Sequence, residues 1–216
     1  MNSFDDARSA FKRGDSTLLV QLFSSLPDLD AGLQFALGSW YDEGKGIPQD
    51  YQEAMKWYRK AAEQGQVGAQ HRLGDMYHLG LGVPQNVQEA LKWYLKAAEQ
   101  GNASAQYNLG LIYRDGRGVP QNMQEALKWT RKAAEQGDAS AQLGLGLMYA
   151  KGLGVPQDYV RSHMWLNVAT AALSGDERED AMEIRDLVAL KMTAAQIGQA
   201  QAMARRCQTT KFKECD

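Results

Sequence analysis

A 36-residue period dominates the sequence. From Ala31 the chain divides into four consecutive blocks, 31–66, 67–102, 103–138 and 139–174, with no insertion between them. The two central blocks are identical at 23 of 36 positions, and Pro48, Pro84, Pro120 and Pro156 fall in register, as do Trp57, Trp93, Trp129 and Trp165. A unit this short cannot bury its apolar face alone, so the blocks must stack on their neighbours instead of sharing one globular centre.

Within the second block, Ala69, Leu73, Met76 and Tyr77 recur at helical spacing and mark a first helix. Gly80 and Gly82 bracket a turn, and Pro84 cannot continue the backbone ladder. Asn86 with Glu89 fits a capping box that opens a second helix, as do Asp50 with Glu53 and Asn122 with Glu125. That helix carries Ala90, Leu91, Trp93, Tyr94, Ala97 and Ala98 as its apolar or small positions, with Lys92 and Lys96 on the wet side, and Gly101 closes it. Gly38, Gly74, Gly110 and Gly146 recur mid-helix, where glycine costs about 1 kcal/mol against alanine. A neighbour must therefore approach closely there, and a larger residue at Gly74 or Gly110 should cost about 1–3 kcal/mol. The expected fold is an all-α solenoid of antiparallel helix pairs.

The flanks read as divergent closures. Residues 1–30 suggest an N-terminal capping helix pair, 3–13 and 16–26, with Leu18, Leu19, Leu22 and Phe23 as its apolar stripe. Residues 175–206 suggest C-terminal capping helices, Asp180 to Leu190 and Ala194 to Arg206, the latter opened by a capping box of Thr193 with Gln196. Residues 207–216 are a polar tail. With 24 basic and 26 acidic side chains and a net charge of -2, nothing favours a nucleic-acid partner. No apolar stretch reaches the roughly 18 residues that would insert in a membrane.

The A-x-A-Q opening (Ala105 with Gln106), Leu73-Gly74, Tyr77, the G-x-G-V-P-Q turn and the A-L-K-W … K-A-A-E-Q-G second helix together resemble Sel1-like repeats, relatives of the tetratricopeptide repeat. Ala181 to Arg206 is similar to the helical tail that follows such arrays. The resemblance implies a non-enzymatic adaptor for a protein or peptide, with no cofactor and no shared catalytic residue; a monomer is expected. By register with tetratricopeptide relatives, the concave groove would be lined by Phe35, Ser39, Asp42, His71, Asp75, His78, Tyr107, Asn108, Leu111, Arg114, Leu143 and Leu147. The fourth block departs from the pattern: Arg161 replaces the capping Glu, Ser162 the small Ala, and Leu173 the closing Gly. Its second helix should run on to Ser174 before Gly175 stops it.

His71, Asp75 and His78 stand at i, i+4 and i+7, a spacing that would suit metal binding or weak hydrolysis and that also arises on any solvated helix face. No G-x-S-x-G, H-E-x-x-H or phosphate-cradling glycine loop accompanies them. Ser9 and Lys12 form an S-x-x-K string without its usual companion motifs. Cys207 and Cys215 are the only cysteines. Either they form a disulfide, or they are two thiols in a reducing cytoplasm. The bridge is the favoured reading, and it implies a periplasmic or secreted protein whose signal peptide is removed or left out of this sequence.

Overall fold

The computed structural model describes residue 13, residues 15–24 and residues 29–215, and among these it contains eleven α-helices and no strand. Helix α1 (Ser16–Ser24) precedes four pairs: α2 (Ala31–Glu43) with α3 (Tyr51–Glu63), α4 (Val67–Leu79) with α5 (Val87–Glu99), α6 (Ala103–Asp115) with α7 (Met123–Ala134), and α8 (Ala139–Lys151) with α9 (Tyr159–Ala172). Helices α10 (Gly175–Ala189) and α11 (Ala194–Thr209) follow and pack on α9. The chain forms two compact units, one holding α1 to α5 and the other α6 to α11.

Each pair is built by the same local chemistry. The first helix ends on a left-handed glycine, Gly80 in the second repeat (φ 75°). The glutamine after the proline then donates its amide to a carbonyl of the last helical turn, as Gln85 does to His78 at 2.6 Å. The N-cap amide of the second helix returns to the first, Asn86 N–H to the Tyr77 carbonyl at 2.8 Å. The G-x-G-V-P-Q string is thus a hydrogen-bonded corner. Mid-helix glycine also finds its reason: a Cβ on Gly74 would clash with Cδ1 and Cε1 of the Tyr94 ring, and one on Gly38 would lie 2.5 Å from Tyr58 Cδ1.

In each of the first three repeats an exposed glutamine is paired with a buried one. Gln64, Gln100 and Gln136 donate to the side-chain oxygens of Gln34, Gln70 and Gln106 at 2.8, 2.7 and 2.6 Å. In the fourth repeat the donor position is Ala172, and the buried Gln142 Oε1 has no hydrogen-bond partner among the described residues.

Several boundaries differ from the sequence expectation. Helix α9 stops at Ala172, with Leu173 as its C-cap, and Gly175 opens α10 instead of ending α9. Asp176 and Glu177 lie in the first turn of α10, where carboxylates favour a helix start, so it begins well before Asp180. Helix α11 runs past Arg206 to Thr209. Most of the expected 3–13 helix, together with Ser9, Lys12 and residues 25–26, lies outside the described residues. The reciprocal capping box is present at Thr193 and Gln196. At Asp50, Asn86 and Asn122 the cap accepts from the backbone of Glu53, Glu89 and Glu125, but each Glu turns outward to Lys56, Lys92 or Lys128. The backbone N–H of each cap is already donated to a carbonyl of the preceding helix, Tyr41, Tyr77 or Tyr113, so the Glu has no donor to reach back to.

In the second unit, Cys207 and Cys215 form a disulfide with Cα atoms 4.4 Å apart. The short loop between them places Phe212 against the turn at Gly137.

Candidate functional site

The first-helix residues of the opening two repeats form a half-buried polar cluster. Asp42, on α2, is 5% exposed and accepts a hydrogen bond from Tyr58 of α3 at 2.9 Å. Arg72, on α4, pairs with Asp42 through Nε and Nη2 and reaches Asp75 through Nη1 at 3.2 Å. Asp75 in turn accepts from Tyr94 of α5 at 2.8 Å. Each carboxylate is therefore held by the tyrosine of its own repeat, and one arginine links the two. Ser39 donates to the Phe35 carbonyl and accepts from Tyr58 at 3.3 Å, while the Phe35 ring packs 5.6 Å from that of Tyr58.

Charge follows from these contacts. Burial opposes the Arg72 cation, but the Asp42 hydrogen bond and charge outweigh it and hold the guanidinium above its ordinary value. Burial pushes the Tyr58 phenol up to about 12, with Ser39 opposing and the Asp42 charge adding to the rise. His71 is lowered, first by burial and then by Arg72, against the pull of Asp75. Its Nε2 lies 3.6 Å from Asp75 Oδ1, beyond a hydrogen bond. The His71 and His78 rings lie 5.9 and 6.5 Å from the Tyr94 ring.

The spacing of His71, Asp75 and His78 does not translate into a ligand set. Among the described residues no group of three His, Cys, Asp or Glu side chains is placed to hold a metal ion. Asp75 is instead engaged by Arg72 and Tyr94, and the imidazoles pack against an aromatic ring.

In the second unit the same register positions are mostly apolar. Thr130 and Leu166 stand where the first two repeats have Tyr58 and Tyr94, and Leu111 and Leu147 stand where they have Ser39 and Asp75. Tyr107 packs against the unit's core, and burial raises its phenol. Leu143 packs with Ala139, Ala169, Leu173 and Ala181. Asn108, Leu111 and Leu147 are half-buried. Arg114 is exposed and pairs with Asp115 at 2.7 Å, a hydrogen bond that holds the carboxyl below its ordinary value.

Sequence reasoning missed Arg72, Tyr58 and Tyr94. The two tyrosines carry a signal, since a phenol recurs opposite a mid-helix glycine at the 36-residue period. Arg72 carries none: its register partner in the first repeat is Ala36.

The family model described as the Sel1 repeat matches residues 32–66, 67–102, 103–138 and 139–172. The chain belongs to the Sel1 repeat family. Among solved structures it is similar to a Sel1 repeat protein from Oxalobacter formigenes, at 32% identity and a TM-score of 0.69, over 95% of this chain and 75% of that one. It is also similar to a protective antigen of uropathogenic Escherichia coli strains displaying an SLR fold, at 31% identity and a TM-score of 0.57, over 94% of this chain and 50% of the antigen. No curated protein matches. The Sel1-type solenoid of helix pairs accounts for the helix order, and Sel1 repeat proteins are generally protein–protein interaction scaffolds. None of the described helices is long and apolar enough to cross a membrane.

Proposed function

We propose that the chain is a non-enzymatic scaffold that binds a peptide or extended segment of a partner protein on the first-helix faces of its repeats. The observation that carries this reading is the Asp42, Arg72, Asp75 cluster. A long, entropically expensive side chain is already fixed by two carboxylates, so a partner need not pay to order it. Half-buried Tyr107, Asn108, Leu111 and Leu147 supply mixed apolar and polar contacts in the second unit. The engaged state of Asp75 favours recognition over acid–base work. The near-neutral charge favours a protein ligand over nucleic acid, and the disulfide favours an oxidising compartment such as the periplasm or the exterior for a monomeric protein.

Affinity enrichment comparing wild type with Arg72→Ala and with Leu111→Ala tests the reading. A partner held by wild type should be lost from at least one variant at unchanged helicity. Equal recovery by both variants contradicts a first-helix binding face.

A further inference from the structure

The second unit holds a pocket of about 310 Å³ whose lining includes Arg131 of α7, Tyr149 of α8, Pro156 and Gln157 of the following turn, and Asp158 and Arg161 at the start of α9. The guanidinium carbons of Arg131 and Arg161 each lie 6.0 Å from the centre of the Tyr149 ring, so two cations converge on one aromatic wall. Arg131 donates to the Tyr149 hydroxyl at 2.6 Å, and Arg161 donates to Asp158 at 3.0 Å, which fixes both side chains.

Half of this arrangement is ordinary for the array and half is peculiar to the fourth repeat. Arg59 makes the same 2.6 Å bond to Tyr77 in the first unit, so an arginine on that tyrosine is part of the repeat's design. The position of Arg161, however, is Glu53, Glu89 and Glu125 in the other repeats, each paired with a lysine three residues on. In the fourth repeat the lysine position is the buried Met164. The same spot has thus changed from acidic to basic. The lining now carries two arginines against one aspartate.

We propose that this pocket binds a carboxylate presented by an acidic segment of a partner protein. Planar guanidinium groups match the two-oxygen edge of a carboxylate, and like charges brought together in a partly desolvated pocket favour an anion between them. The pocket is a separate site from the first-helix faces, so its failure would leave the Arg72 and Leu111 test untouched.

The experiment is an NMR titration of the full ¹⁵N-labelled chain, disulfide intact, with four probes. These are an acetylated and amidated glutamate peptide, its glutamine counterpart, the glutamine peptide with a free C-terminal carboxylate, and inorganic phosphate. Saturable shifts at Tyr149 and Arg161 with the glutamate peptide assign the ligand to an acidic side chain. Shifts with the free-carboxylate peptide and none with the blocked glutamate peptide would overturn the acidic-segment source, and the blocked glutamine peptide should give none. Arg161→Glu, which installs the residue of the other repeats, should weaken binding about tenfold or more. Arg131→Leu, the residue of the corresponding position 95, should do the same if Arg161→Glu fails to fold. Phosphate binding more tightly than the carboxylates, no saturable shift with any carboxylate, or affinity unchanged in the folded variants would each overturn the proposal.

Discussion

The second helices of the first three repeats and that of the fourth occupy the same register and carry opposite outer surfaces. In α3, α5 and α7, Lys60, Lys96 and Lys132 lie 4.3, 4.3 and 4.6 Å from the ring centres of Trp57, Trp93 and Trp129, and Glu–Lys pairs flank them. The aliphatic stems shield the indoles while the charges stay in water. In α9 those lysine positions are Met164 and Val168, both buried, and Trp165 is 1% exposed in a core shared with Ala200, Ala204 and Cys207 of α11. Ser162, His163 and Thr170 of α9 are buried as well, so the helix is covered well beyond its apolar positions. The departures of the fourth repeat therefore mark a covered face, and Arg161 is the one charge added where the others were removed.

The comparison breaks most visibly at the tryptophans. Trp165→Ala should cost about 3–5 kcal/mol in chemical denaturation, and Trp93→Ala, whose ring is half-buried under Lys96, markedly less. Equal costs would mean that α9 is no better covered than α5.

Inside the periodic region, Gly74→Ala should destabilise by about 1–3 kcal/mol despite alanine's better helix propensity, because the new methyl meets the Tyr94 ring. In a Tyr94→Ala background the same change should become stabilising. Failure of the sign to reverse would remove the ring as the reason for the glycine.

The glutamine pairs offer a smaller test. Ala172→Gln restores the donor found at 64, 100 and 136 and should stabilise by about 1 kcal/mol, read as a rise in denaturation midpoint. No change would indicate that Gln142 Oε1 is already satisfied.

The smallest effect is that of pH. His163 of α9 is buried beside Asn167, and burial, then the Arg185 charge, lower it from 6.5; His71 is lowered first by burial as well. The unfolded chain then takes up protons before the folded one, so stability is full above about pH 6.5 and declines as pH falls below it. His163→Gln should shallow that decline below about pH 6.5, and an unaltered slope would contradict the assignment.

Much of the fold is legible in the sequence because period, glycine and proline each act locally. Gly80, Pro84 and Asn86 specify a corner whatever surrounds them. The start of α10 was harder to read, since Gly175 can end one helix or open the next, and the acidic first turn of Asp176 and Glu177 decides for opening. The polar cluster was only half legible. Register places Asp42 and Asp75 on first helices, but it cannot say that Arg72 would reach back 30 residues to Asp42, because that depends on how two repeats are offset in space. Spacing alone likewise made His71, Asp75 and His78 resemble a ligand set, when Tyr94 and Arg72 were the groups that would engage them.

Hydroxyl-radical footprinting of the intact, oxidised chain tests the covered fourth repeat most directly. Met164 and Trp165 should resist modification while Trp93 is oxidised readily. Equal modification of Trp93 and Trp165 would contradict a buried terminal helix and, with it, the physical reading of the fourth repeat.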